Sequence, residues 1–242
     1  MASIRQFDRP PRTAAARIRR RIEGSRDQIW RPSDFAGLPG QAVGTALSRL
    51  AKEGVITRLR RGVYYRSRPT VVGPSRPAAS DVLARTSHEP LFPAGLTAAA
   101  TLGFTTQNPA HLEYVTTASR APMGPANAKI TARRPQSWRA LTTREGALLE
   151  FLRDRGVTSD LSDADTTRRL LQLLRDGKTI DHLLGVAPDE PARVRAMLGA
   201  LGQELGVSDR RLRGLRHRLS PLSTYDFGRL KGLTYAAQWQ AR

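Results

Sequence analysis

The order of signals along the chain predicts an α+β protein in two parts: a helical N-terminal unit closed by a short basic hairpin, then a longer, mostly helical α+β unit. Three observations carry this. In QAVGTALSRLAKEG, Val43, Ala46, Leu47 and Leu50 recur at i, i+3, i+4 and i+7, the spacing of one buried helix face. ITRLRRGVYYRS (Ile56–Ser67) alternates branched or aromatic residues with arginines and turns at Arg61-Gly62. From Thr142 onward, capping patterns and leucine periods follow one another.

The elements of the first part can be justified in order. After a polar leader with Pro10-Pro11, Thr13 can cap a helix running through Ala14, Ile18 and Ile22 to Gly24, with Arg17, Arg19, Arg20 and Arg21 on its other faces. Asp27–Trp30 reads as a short extended piece. Pro32-Ser33-Asp34-Phe35 opens a second helix with Ser33 at its N-cap, and Leu38-Pro39-Gly40 stops it early. The third helix follows, ended by Gly54. Its polar face presents Gln41, Thr45, Ser48, Arg49 and Lys52. The chain then passes into the hairpin, which Ile56, Leu59, Val63 and one tyrosine are expected to hold on the domain.

Residues 68–80, rich in proline, glycine and serine, read as a linker between a first domain at 1–67 and a second at 81–242. A short helix is expected at Asp81–Thr86, then a proline-bounded turn into an alanine-rich helix within EPLFPAGLTAAATLGF. HLEYVTTA (111–118) and NAKITARR (127–134) alternate as strands. Thr142-Thr143-Arg144-Glu145 is a capping box before an amphipathic helix with Leu148, Leu149 and Leu152. Ser162-Asp163-Ala164-Asp165 is a second, ahead of Leu170, Leu171, Leu173 and Leu174. Asp189 or Pro191 starts a helix closed by Gly206, and Ser208 caps another through Leu212 and Leu215. The stretch from Arg229 to Arg242, with Trp239, reads either as docked on the core or as a tail.

Charge narrows the function. The 242 residues carry a formal +19, which points to a polyanionic partner. Four of the forty basic residues are lysine, a bias that suggests a GC-rich genome, so distribution is the better argument. Residues 1–70 hold 16 Lys+Arg against 5 Asp+Glu, a net of +11; residues 71–141 and 142–242 each net only +4. There is no cysteine, which excludes disulfides and cysteine-ligated zinc and makes the cytoplasm the default compartment. No apolar run is long enough for a bilayer, and the N-terminus lacks the apolar centre of a secretory signal.

Helix, short strand, helix, tight turn, helix and basic hairpin is the order of a winged helix-turn-helix, whose third helix enters the major groove while the wing reaches adjacent phosphates. The candidate DNA-binding residues are Gln41, Thr45, Ser48, Arg49 and Lys52 on that helix, with Arg58, Arg60, Arg61 and Arg66 on the hairpin. The lesser alternatives are that the basic hairpin is a sheet edge protected by charge and that the three-helix unit serves only protein contacts. RNA fits less well, since Tyr64 and Tyr65 are needed in the fold and little aromatic surface is left for stacking.

No catalytic, metal or cofactor site is assigned. His88, His111, His182 and His217 are dispersed, and no phosphate-binding loop or nucleophile elbow occurs. Gly156–Asp165 superficially resembles a magnesium-binding nucleotidyltransferase turn. Its Asp163 and Asp165, however, open a helix, where capping and the helix dipole account for acidic residues.

Trp30 with Asp34-Phe35, and AVGTALSRLAKEGVITRLRRGVYY (42–65), resemble the winged-helix N-terminus of AbiEi-family antitoxins. In the second unit LTAAATLGFTTQNPAHLEYVTTA (96–118), PARVRAMLGALGQELG (191–206) and LSPLSTYDFG (219–228) also resemble members of that family, so that the similarity covers most of the chain and stops near Gly228. The resemblance implies a bacterial antitoxin that represses its own operon by binding promoter inverted repeats as a monomer or weak dimer paired on double-stranded DNA. It also implies a nucleotidyltransferase-type toxin as partner, counteracted through the C-terminal domain without a stable complex. Carried over residue by residue, the DNA contacts are Thr45, Ser48, Arg49 and Lys52, with Arg58, Arg60 and Arg61. The alternatives left open are a stand-alone winged-helix regulator with a C-terminal sensing domain, and a protein that assists modification of its toxin.

Overall fold

Thr13 stands extended ahead of α1 (Ala14–Gly24), and its hydroxyl accepts from the Ala16 N–H at 3.3 Å, satisfying one of the donors that a helix start leaves over. The computed structural model describes residues 13–26, 28–71, 73–122, 124–125 and 127–242; the Pro10-Pro11 leader and Asp27 of the extended piece lie outside them. Two units divide between Thr86 and Ser87.

In the first unit α1 is followed by β1 (Ile29–Trp30) and by a 3-10 turn at Pro32–Phe35. The turn replaces the second helix the sequence predicts. Four residues before the Leu38-Pro39-Gly40 stop are too few for α-helical bonds to repeat, and Pro32 starts the turn a residue early. Ser33 is therefore not the cap: the Asp34 carboxylate accepts from the Arg31 N–H at 2.7 Å. Next comes α2 (Gly40–Lys52), which buries Val43, Ala46, Leu47 and Leu50 as its period requires. Gly54 takes the left-handed φ of +74° that ends a helix economically. The core beneath is Ile18, Ile22, Trp30, Phe35, Leu47, Ile56 and Tyr64 with their neighbours, and the Trp30 and Phe35 rings stack at 5.5 Å.

β2 (Thr57–Arg60) and β3 (Val63–Tyr65) form the hairpin, and β1 adds to its other side, giving the antiparallel order β1-β3-β2. Arg58 pairs with Tyr64 and Arg60 with Val63, so Leu59 is the extra residue of a bulge. That bulge turns Leu59 to solvent, 37% exposed, against the expectation that it anchors the hairpin. Ile56, Val63 and both tyrosines are buried instead.

The expected linker is structured. A second small hairpin, β4 (Pro69–Thr70) and β5 (Gly73–Pro74), leads to α3 (Ala79–Thr86). The Ser75 hydroxyl bonds the Tyr65 hydroxyl at 2.8 Å and accepts from the Arg68 N–H at 2.8 Å. Val82 packs with Ile29, Val63 and Tyr65, and Arg85 pairs with Asp34 at 3.1 Å. These contacts place α3, predicted to open the second domain, in the first unit.

The second unit starts with β6 (Leu91–Pro93), where the sequence suggests only a turn. It continues through α4 (Gly95–Leu102), β7 (Leu112–Thr116) and β8 (Ala128–Thr131). β7 lies centrally, antiparallel to β6 and parallel to β8. Thr142 caps α5 (Thr143–Arg153) through the predicted box with Glu145. α5 is not amphipathic but buried on every side from Glu145 to Leu152, and a Cβ on Gly146 would come within 2.1 Å of the Phe92 ring.

Around it lie α6 (Asp163–Leu174), α7 (Lys178–Val186), α8 (Ala192–Glu204) and α9 (Asp209–His217). The C-terminal stretch docks on this core. Trp239 is fully buried over Gly199, where a Cβ would meet its ring at 2.2 Å, and its indole N–H donates to Gln203 at 2.9 Å. The architecture is α+β. Among the described residues no helix is long and apolar enough to cross a membrane.

Candidate nucleic-acid interface

At 3.6 residues per turn, Gln41, Thr45, Ser48, Arg49 and Lys52 fall within about 100° of arc on α2, opposite its buried stripe. All five are exposed. Small and polar groups thus line one continuous helix face, which is what a groove requires of a helix that reads base edges. They are not electrostatically equal. Arg49 donates to the Glu53 carboxylate at 2.8 Å, and Arg19 of α1 pairs with the same carboxylate, so Glu53 shares its charge between two guanidiniums. Lys52 forms no ion pair among the described residues.

The hairpin sorts its four arginines differently. Arg58 and Arg61 are exposed, and Arg61 forms the two-residue loop with Gly62, whose φ of +74° permits the tight reversal. Arg60 is half-buried. Arg66 points elsewhere: its guanidinium donates to the Ile22 and Glu23 carbonyls at 2.7 and 2.6 Å. Arg68 does the same for Ser25 and Arg26, at 3.2 and 2.6 Å. Arg66 satisfies carbonyls left over at the end of α1, where the helix dipole also favours positive charge, and Arg68 holds the C-cap carbonyl and the one after it. Arg66 is thereby spent on the fold, unlike the DNA-contacting role on the hairpin expected from the sequence. Nothing in a linear pattern distinguishes an arginine that caps a distant helix from one that faces solvent.

A second basic surface escapes the sequence reading. Residues 209–218 contain five arginines and one aspartate, the whole net +4 of the C-terminal hundred residues, diluted when charge is averaged over them. On α9, Leu212 and Leu215 are buried, while Arg210, Arg211, Arg213 and Arg216 are exposed. Arg211 pairs with Asp181 at 2.6 Å and Arg216 lies over the Trp239 ring at 4.7 Å. Arg210, Arg213 and Arg218 form no ion pair among the described residues.

The buried charges of the second unit serve its core. Arg134 grips Glu150 with two bonds of 2.6 and 3.0 Å, and Glu190 accepts from both the Trp138 indole and Arg153, at 2.7 and 2.8 Å. Ser162 accepts from the Asp165 N–H at 3.1 Å. With Arg168 beside it, that hydroxyl holds Asp165 below the usual carboxylate range, while Asp163 pairs with Arg229 at 3.1 Å. Ser162 thus caps the helix, but the reciprocal half of the expected box is replaced: the Asp165 carboxylate accepts from the Ser162 hydroxyl, and Asp163 is held by Arg229. Among the described residues no three His, Cys, Asp or Glu side chains are grouped to hold a metal ion.

No curated protein matches the sequence. A family model does match residues 19–180, from within α1 to the start of α7, well over half the chain, and on that span the chain belongs to DUF6088, a family of unknown function.

Proposed function

We propose that the first unit is a winged helix-turn-helix that binds double-stranded DNA, with α2 in the major groove and the Arg61-Gly62 tip on the neighbouring phosphates. The observation that carries this reading is the pairing of a continuous exposed polar face on α2 with the exposed guanidiniums of Arg58 and Arg61, within the segment that holds net +11. Gln41, Thr45, Ser48 and Lys52 contact bases or backbone, and Arg49 joins them on releasing Glu53.

The wider proposal is a cytoplasmic antitoxin. It represses its own operon at promoter inverted repeats, as a monomer or weak dimer that pairs on DNA. Through its second unit it counteracts a nucleotidyltransferase-type toxin without a stable complex. Support comes from the resemblance of residues 30–65, 96–118, 191–206 and 219–228 to AbiEi-family antitoxins.

The test is a mobility-shift titration of the full chain against DNA immediately upstream of its gene and against a scrambled duplex, at 50 and 200 mM salt. With about six phosphates neutralised, promoter affinity falls by on the order of a thousandfold between the two. An Arg58→Glu/Arg61→Glu variant is expected to lose promoter selectivity; undiminished selective binding in that variant would sink the wing assignment. For the antitoxin half, co-expression with the adjacent open reading frame should relieve any growth arrest which that frame causes alone. Unrelieved arrest removes the antitoxin and leaves the stand-alone regulator.

A further inference from the structure

The first unit also contains a cavity of about 450 Å³, within the size range of small-molecule sites. It lies between the end of α1, α3, and the edge of the sheet where Ile29 pairs with Tyr65. Tyr65 is three residues from Gly62, about 10 Å along an extended strand, so the cavity and the hairpin tip sit at opposite ends of β3.

Its charged lining is the notable feature. Arg85 is held by Asp34, but the side chains of Arg26, Arg76 and Asp81 form no ion pair or hydrogen bond among the described residues. Two unpaired guanidiniums facing one cavity repel each other, and an anion between them adds an attraction to each that offsets this repulsion. Because Asp81 pairs with neither arginine, the cavity keeps both a donor end and an acceptor. Ile29, Pro77 and Ala84 supply an apolar wall, and Gln28 adds an amide beside it.

We propose that this cavity binds a nucleoside monophosphate. The guanidiniums of Arg26 and Arg76 donate to the phosphate oxygens, the geometry for which arginine is best suited. Asp81 accepts from the ribose hydroxyls, and the base rests on the Ile29–Pro77–Ala84 wall within reach of Gln28. A phosphate alone uses only the donor end; a free nucleoside forfeits it. The site is separate from the DNA face and does not depend on the DNA reading.

Calorimetry and thermal melting of the full chain without DNA test it, with the four ribonucleoside monophosphates and inorganic phosphate as probes. At least one nucleotide is expected to bind and raise the melting temperature, more tightly than inorganic phosphate does. Each guanidinium removed should weaken nucleotide binding about tenfold, so Arg26→Ala/Arg76→Ala loses about a hundredfold. Asp81→Asn should weaken nucleotide but not phosphate. Arg26, Arg76 and Asp81 are exposed and unpartnered, so the unliganded melting temperature of these variants should match that of the parent. Ala84→Phe, which fills the cavity from an exposed position, provides an independent block. No nucleotide binding at millimolar concentration, phosphate binding as tight as nucleotide binding, or undiminished binding in the double arginine variant would each overturn the assignment.

Discussion

Glu145 in the first turn of α5 and Asp154, the half-buried residue that ends it, obey opposite rules. Burial pushes the Asp154 carboxyl up, reinforced by the nearby Glu150 and Glu113 and opposed by Arg134 and Arg155. Among the described residues nothing donates a hydrogen bond to it. A carboxyl raised in the folded state costs stability as the pH rises above its unfolded value, with the full cost present above the folded one, because ionising it is harder there than in the unfolded chain. Asp154→Asn is therefore expected to raise the melting temperature at pH 7, with the gain vanishing below about pH 3.9, where the unfolded aspartate is protonated too. Burial also acts to raise Glu145, but the Thr142 N–H and hydroxyl, at 2.7 and 2.9 Å, and His182, at 2.7 Å, donate to it and hold it below its ordinary value. Its contribution is full above the ordinary value of about 4.3 and is lost as pH falls through the lowered one. Glu145→Gln should accordingly cost about 1–3 kcal/mol at pH 7 and less at pH 3, as read by urea unfolding at both. Equal effects of either substitution at the two pH values would refute the donor-based account.

At the scale of elements, the proposed DNA contacts and the fold draw on different arginines of the hairpin. Arg66 closes the end of α1, so Arg66→Ala should destabilise the chain by about 1–3 kcal/mol, the range for a charged donor lost from paired carbonyls. Arg58→Ala and Arg61→Ala, on exposed positions, should change stability by less than about 0.5 kcal/mol yet weaken promoter DNA. Denaturant midpoints and mobility shifts on the same three proteins decide it, and a stability loss at Arg61 matching that at Arg66 would erase the distinction. The elements legible in the sequence are those with local causes: the 3.6 period of α2, Gly62 at the reversal, the Thr142–Glu145 box. Those that were not depend on distant partners. β6 is three residues that follow Pro90 and end in Pro93, and only pairing with β7 makes it a strand. The bulge at Leu59 follows from how β2 meets β3, and α3 joins the first unit because Val82 and Arg85 find partners there. The exposed face of α2 was legible because burial of one stripe fixes the other. The fate of Arg66 was not, because its carbonyl acceptors lie more than forty residues away.

For the whole molecule, charge is the property that composition announces and structure redistributes. Residues 1–70 carry net +11 and residues 209–218 carry +4, while the rest of the C-terminal hundred residues are balanced. A net charge this high is expected to draw any polyanion to some degree, so affinity alone would not identify the proposed DNA face. The salt dependence does, because the slope of log affinity against log salt falls by about 0.9 for each phosphate contact removed. If the first unit alone holds the promoter, Arg58→Ala/Arg61→Ala should flatten that slope by about 2 and collapse the ratio of promoter to scrambled affinity. Arg210→Ala/Arg213→Ala should leave slope and ratio unchanged. The comparison is robust because both variants remove the same charge from exposed positions, so a general loss of polyanion attraction would shift both alike. A slope flattened equally by the α9 variant would extend the proposed interface to the second unit; one flattened only by it would transfer the proposed DNA-binding role from the hairpin to α9.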